Sequence, residues 1–315
     1  MRAAVIATYG PPAVVRVSEV PRPTAGRGQA LVRVRAAAVT SADARIRGAS
    51  FPPGFGLPAR LAFGVRRPRR PILGSCVSGT VEALGADVQG LTEGDEVCGM
   101  TGTAMGAHAR FVAVPVARLV AKPPTVSHED AAGVLFGGTT AWFFLRDKAA
   151  VGPGTSVLIN GASGAVGTNA VQLAHHLGAT VTGVTSTANL ALVTELGADH
   201  VIDHTRQDLL GTPGRFDVVL DTVGNLTVTT GRSLLRSGGT LVLAVAGLAD
   251  TLRARGNVVA GAAPERAEDF RALLQLVADG ALRVVHDASY GLDDIALAHE
   301  RIDTGHKVGN VTVRP

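Results

Sequence analysis

The chain has 315 residues, a formal net charge of +4, 46% hydrophobic and 4% aromatic residues, and a mean hydropathy of +0.26. That length exceeds the usual single domain, and the Gly-rich, aromatic-poor composition suits an α/β protein that buries a large sheet. Cys76 and Cys98 are too few for a disulfide framework and read as reduced, buried thiols, and no apolar run is long enough for a membrane span.

In chain order, Met1 to Val5 opens as a strand and not as a basic-then-apolar leader, so a cytoplasmic location is expected. Short alternating runs follow at Ala30–Val34, Val77–Ala83, Glu96–Cys98 and Phe111–Val114, separated by Gly- and Pro-rich turns. That pattern predicts a β-rich, barrel-like region. Within it, Arg66, Arg67, Arg69 and Arg70 crowd around Pro68. Without interleaved aromatics this stretch reads as a solvated loop, with an anionic substrate tail or incidental polyanion contact as alternatives, and neither a nucleic acid nor a membrane partner is expected.

Residues 155–167 read as an apolar strand running into a turn with Gly161, Gly164 and Gly167, which opens a helix. Glycines remove the Cβ atoms that would hold a phosphate away, and the helix start offers unpaired N–H groups and a positive dipole end. Val166, Ala170, Val171, Ala174 and Leu177 give that helix one buried face, and Gly178 stops it. A strand at Thr180–Val184, a helix at Ala188–Leu196 and a strand at His200–Asp203 complete one half of a dinucleotide fold. Further strands are predicted at Phe216–Asp221 and Thr240–Val245, with a helix at Leu226–Leu235 between them. The last stretch carries helices at Phe270–Ala278 and Leu292–Ile302 and strands at Val284–Asp287 and Asn310–Val313, and rejoins the first region. The expected fold class is therefore α/β, a Rossmann doubly wound parallel sheet plus a β-rich barrel domain, with boundaries at 1–122, 123–262 and 263–315.

The residues also resemble a known family. Gly74, Ser75, Gly79, Glu82 and Gly85, the turn Gly94-Asp95-Glu96-Val97, Pro153-Gly154, the run from Asn160 to Gly167, Leu196-Gly197-Ala198-Asp199 and Asp221-Thr222-Val223-Gly224 are similar to the medium-chain dehydrogenase/reductase superfamily. The nearest branch is the zinc-independent quinone oxidoreductases, which include the zeta-crystallin-like proteins. The resemblance implies a GroES-like catalytic domain, a Rossmann domain, a cleft between them and a homodimer, with the strand-like Asn257–Ala260 available to pair across a twofold axis. Where zinc-dependent relatives carry their first two metal ligands, this chain has Thr40 and Ser75, neither a competent zinc ligand.

By the same resemblance, the turn residues Gly161, Ala162, Ser163, Gly164, Ala165, Val166 and Gly167 hold the cofactor, as do Thr140 beside the nicotinamide, Val223, Ala244, Val245 and Ala246 at strand ends, and Asn310 closing the cleft. At the end of the second Rossmann strand, Thr185, Ser186 and Thr187 stand where an NAD site carries an acid, which favours NADPH over NADH. His204 or Arg206 is expected to replace the missing basic clamp. Thr40, Ser41 and Arg45 are candidates for the substrate oxygen, Asp43 for orienting their loop, and His108 for a proton donor, beside its reading as a buried structural histidine. Three functions are compatible: an NADPH-dependent reductase of a small quinone, an enoyl or enone C=C reductase acting on a specific metabolite, and an NADPH-binding protein without efficient redox turnover.

Overall fold

The computed structural model describes residues 1–211 and 214–315. Strands β1 (Arg2–Ile6) and β2 (Val15–Glu19) pair antiparallel. Strands β3 (Gln29–Val39), β4 (Cys76–Leu84), β5 (Glu96–Met100), β6 (Phe111–Pro115) and β7 (Leu119–Ala121) form antiparallel ladders, β3 pairing with both β4 and β6. Small and β-branched side chains of these strands, among them Val32, Val77, Val97 and Val114, close an apolar core. Helices α1 (Ser41–Gly48) and α2 (Gly56–Phe63) lie in the long connection between β3 and β4.

Helix α3 (His128–Trp142) is capped by Ser127, whose side chain accepts from the Asp130 N–H. No helix was expected here, because Gly133, Gly137 and Gly138 dilute its apolar pattern. The fold explains them. A Cβ on Gly137 would stand 2.2 Å from the Ala165 carbonyl oxygen, so glycine lets α3 back directly onto the start of α4 (Ala165–His176).

The parallel strands β8 (Ser156–Asn160), β9 (Thr180–Thr185), β10 (His200–Asp203), β11 (Phe216–Asp221), β12 (Leu235–Leu243) and β13 (Val258–Ala260) alternate with α4, α5 (Leu190–Glu195), α6 (Val228–Ser233) and α7 (Leu248–Arg253). Their order is β10-β9-β8-β11-β12-β13, the doubly wound arrangement whose switch point falls beside the first strand. Apolar layers cover both faces. One joins the sheet to α3, α4 and α8 (Ala267–Ala278), and the other surrounds Leu158, Val219 and Leu241.

Strand β14 (His286–Gly291), helix α9 (Ile295–Asp303) and β15 (Asn310–Arg314) return to the first region, where β15 pairs antiparallel with β3. Two element expectations are corrected. The helix expected at 226–235 is only six residues long, and β12 starts at Leu235, because Leu234 and Leu235 are buried and the Leu234 carbonyl accepts from Phe216 N–H. The strand expected at 284–287 begins at His286, since Val285 caps the approach to β15 by accepting from the Asn310 N–H. Among the described residues no helix is long and apolar enough to cross a membrane.

Candidate cofactor and substrate cleft

A cleft of about 1060 Å³ runs between the carboxyl ends of the parallel strands and the segments Ala38–Arg45 and Ile302–Asn310. Its floor is the glycine turn. Gly161 has φ +83°, and a Cβ there would lie 2.6 Å from Thr222 Oγ1, so the chain can make this turn only with glycine. Gly164 precedes α4, whose first N–H groups have no acceptor within the helix and open toward the cleft beside Ala165 and Val166. Gly167 has a different task. It faces away from the cleft, and a Cβ on it would meet the Gly161 carbonyl oxygen at 2.1 Å, so it sets how closely α4 packs on the turn.

Asp221 shapes the neighbouring lip. Fully buried, it accepts from Asn160 Nδ2 at 2.9 Å, Val223 N at 3.0 Å, Gly224 N at 3.2 Å and Leu226 N at 3.1 Å. Burial raises its pKa, while those donors pull it back. The exposed Val223 is thereby presented on the cleft wall with Asn225 and Thr222. The C-terminal segment closes over the turn from the other side: Gly309 N donates to Ser163 O at 2.8 Å, and Asn310, anchored through Nδ2 to the Val285 carbonyl at 3.0 Å, lines the cleft.

At the far end of β9, Ser186, Ala188, Asn189, His204 and Thr205 line the wall with Thr185. Thr185 Oγ1 donates to Ser163 Oγ at 2.9 Å, and Asn189 Nδ2 reaches Ser186 Oγ at 3.2 Å. Thr187 is a correction. Its hydroxyl donates to Asp203, and it is absent from the lining. The Asp203 carboxylate, held below its usual range by the Thr187 and Thr205 hydroxyls, turns inward, whereas Asp208 lies on the cleft wall with Oδ1 accepting from Leu210 N at 3.1 Å. Arg206 pairs with Asp203 at 3.6 Å and does not line the cleft.

Other expected residues sit elsewhere. Ala162 is fully buried, its N–H held by the Val184 carbonyl at 2.9 Å. Thr140 stands one turn beyond the lining residue Phe136 and donates its hydroxyl to the Phe136 carbonyl at 2.7 Å. Ala244 N–H is taken by the Asp221 carbonyl, but Val245 and Ala246 line a second cavity of about 210 Å³ with Arg45, Ser50, Phe51 and Pro53.

The opposite wall starts at Thr40, whose side chain caps α1. Thr40 Oγ1 donates to Asp43 Oδ2 at 2.6 Å while accepting from Asp43 N at 3.3 Å, and Asp43 Oδ1 accepts from Gly74 N at 2.9 Å. Thr40 therefore lines the cleft with its hydroxyl proton already committed. Arg45, half-buried on the next turn, borders both cavities, and its guanidinium makes no ion pair or hydrogen bond among the described residues; desolvation lowers its pKa. His108 does not reach the cleft. It is buried behind α1, donates through Nε2 to the Ala38 carbonyl at 3.0 Å and packs edge-on against His299, so the expectation of an acid at His108 is corrected to a structural histidine. Gly74 makes room for its ring, since a Cβ there would lie 2.4 Å from His108 Cδ2.

Lys307 escaped the sequence reading. It lines the cleft and donates through Nζ to the Gly309 carbonyl at 2.6 Å, and burial pushes its pKa down to about 8 against the raising effect of Asp287. Only its position beside Gly309, whose N–H meets the glycine turn, marks it, and sequence spacing carries no such signal.

The donor set does not fit a catalytic zinc. Thr40 and Ser75 offer neutral hydroxyls, one tied to Asp43 and the other beside Cys76 Sγ, and no group of three His, Cys, Asp or Glu side chains converges among the described residues.

Residues 26–124 match the alcohol dehydrogenase GroES-like domain family, and residues 196–313 match the zinc-binding dehydrogenase family. A 2-methylene-furan-3-one reductase of Solanum lycopersicum is 30% identical over 98% of this chain and 77% of its own length. The structure of a quinone oxidoreductase from Coxiella burnetii superposes with TM-score 0.89 at 28% identity, covering 100% of this chain and 99% of that one. A mycobacterial protein, Rv1454c, solved in complex with NADPH, gives TM-score 0.81 at 29% identity with both chains covered at 100%.

Proposed function

Because this chain belongs to the quinone-oxidoreductase-like branch of the medium-chain dehydrogenase/reductase superfamily, we propose that it is a zinc-independent, NADPH-dependent reductase of quinones or other conjugated carbonyl acceptors. The observation that carries the reading is one continuous cleft joining the glycine turn, with the open N–H groups of α4, to the unpaired guanidinium of Arg45. A dinucleotide pyrophosphate fits the first end. An electron-poor carbonyl oxygen fits the second.

The reduced nicotinamide, when bound, supplies the hydride. The chain supplies position and charge. Gly161, Ser163, Gly164, Ala165 and Val166 would hold the pyrophosphate; Val223 and Asn310 would fix the nicotinamide end; Ser41 and Arg45 would direct O–H and N–H donors at the acceptor oxygen as negative charge develops there. Thr40 orients α1, since its hydroxyl is engaged by Asp43. Preference for NADPH is supported by the end of β9, where Ser186, Asn189 and His204 surround the ribose position and the Asp203 carboxylate is turned away. Quinones and conjugated enones suit a site without a Lewis acid because they accept hydride without metal polarisation. A cytoplasmic homodimer is part of the same reading, with β13, the edge of the parallel sheet, free to pair with a second copy.

The test is oxidation of NADPH and NADH in parallel against a small quinone and a conjugated enone, with products identified. Turnover of the quinone with NADPH supports the proposal. A saturated product from the enone alone makes the protein an enone reductase, and tight NADPH binding without turnover on either acceptor makes it a binding protein.

A further inference from the structure

The arginine turn that the cleft leaves unused belongs to an unusual surface. Helix α2 has eight residues, none fully buried, and no side-chain cap; it touches the body through Phe63 and Arg60, and its Leu57–Leu61 face stays open. Leu57 and Leu61, one turn apart on α2, are 71% and 56% exposed, and Val65 just beyond is 52% exposed. After α2 the chain turns sharply. Gly64 has φ +123°, with no room for a Cβ beside the Arg67 carbonyl, and Arg69 N–H bonds back to the Phe63 carbonyl at 2.8 Å. Tyr9 pins the turn by donating to the Gly64 carbonyl at 2.6 Å. Arg66, Arg67, Arg69 and Arg70 are therefore held close to the end of α2, all exposed and none ion-paired among the described residues. Segment 56–70 contains no acidic residue, and its five arginines alone exceed the +4 formal charge of the whole chain.

We propose that α2 and the Arg66–Arg70 turn dock this protein on the surface of an anionic phospholipid bilayer, peripherally and without insertion of a spanning element. Leu57, Leu61 and Val65 enter the headgroup boundary while the arginines meet lipid phosphates. The combination selects this occupant. A second copy of the same face would bring two unpaired arginine clusters together, and a nucleic acid offers nothing to exposed leucines and would call for aromatic or groove-reading side chains that the segment lacks. The surface also abuts the smaller cavity, because Phe63 of α2 stacks on Phe51, which lines it, with ring centroids 6.0 Å apart. The inference does not depend on the reaction catalysed.

The experiment is co-sedimentation of the full chain with vesicles of phosphatidylglycerol mixed with phosphatidylcholine, and with pure phosphatidylcholine, at about 0.1 M salt. Two variants are compared: Leu57→Ser with Leu61→Ser, and Arg66, Arg67, Arg69 and Arg70 each changed to Ser. All are surface changes, and unchanged NADPH binding and thermal melting verify the fold. Binding to the anionic vesicles alone, weakened about tenfold or more in both variants, is the expected result. Absence of native binding to anionic vesicles overturns the proposal. So does full binding by the leucine variant together with competition by duplex DNA, which would make the face a general polyanion site. Loss of self-association by the leucine variant in sedimentation velocity would reassign it to an interface between copies.

Discussion

The two walls of the cleft are built by different means. The glycine-turn wall is built of backbone: N–H groups at the start of α4, a turn at Gly161 that admits no Cβ, and Gly167 packed against the Gly161 carbonyl. The α1 wall is made by side chains of one short segment, Thr40 to Arg45, and their polar groups are unevenly satisfied. Thr40 and Asp43 satisfy one another, whereas the Arg45 guanidinium faces the cavities without a partner among the described residues. Beneath that wall, Arg47 reaches Asp303 at 2.6 Å, but His299 is fully buried with neither ring nitrogen bonded to another group among the described residues. A backbone site is rigid and tolerant of what its side chains are; a side-chain site can be retuned one residue at a time. In the proposed function the contrast separates cofactor binding from acceptor choice.

The strongest break in the first wall is Gly167→Ala, which drives a methyl into the Gly161 carbonyl. Overpacking of about 3 kcal/mol is expected, seen as a loss of cofactor affinity on the order of a hundredfold in a fluorescence titration. Unchanged affinity would mean that the turn does not hold the pyrophosphate. The corresponding break in the second wall is Arg45→Met. It should lower kcat/KM for the acceptor by about thirtyfold through loss of charge-assisted hydrogen bonding, and leave NADPH affinity unaltered. An equal fall in both would erase the proposed division between the walls.

Acid should loosen the second wall first. Burial, with the nearby Arg47 guanidinium, depresses the His299 pKa to about 2 from its usual 6.5. Between those values the unfolded chain binds one more proton than the folded chain. The contribution of His299 to stability is therefore independent of pH above 6.5 and falls by about 1.4 kcal/mol per unit below it. Denaturant melts at pH 7 and pH 5 would register the loss, and His299→Leu should flatten it; a slope that survives the substitution would assign the acid sensitivity elsewhere.

The smallest expected effect sharpens the place where the walls meet. Lys307 is an ammonium below its pKa of about 8 and neutral above it, and it lies beside the segment bonded to the glycine turn. NADPH affinity should weaken about three- to tenfold from pH 7 to pH 9 as one favourable charge is lost, and Lys307→Met should remove that dependence. A pH profile identical in the variant would exclude contact between this lysine and a cofactor phosphate.

Much of the parallel-sheet region was legible. His200–Asp203 and Phe216–Asp221 form as expected, and the strand before the glycine turn differs only at its first residue, because glycine stops and apolar runs act over a few neighbouring positions. Helix α3 was not legible, since its glycines serve the approach of another helix and weaken the only local signal it has. Side-chain roles were the least accessible. Ala162, Thr140, Thr187 and His108 each lie near the cleft along the chain, yet their polar groups or faces are taken by Val184, Phe136, Asp203 and Ala38.

By itself, then, the sequence determined the doubly wound half and its glycine turn, because backbone conformation and the spacing of small residues are local properties. Tertiary structure alone decided that the Arg45 guanidinium stays free among the described residues and that Lys307 arrives beside Ser163 through Gly309. Those outcomes depend on competition among partners far apart in the chain, which no spacing along it encodes.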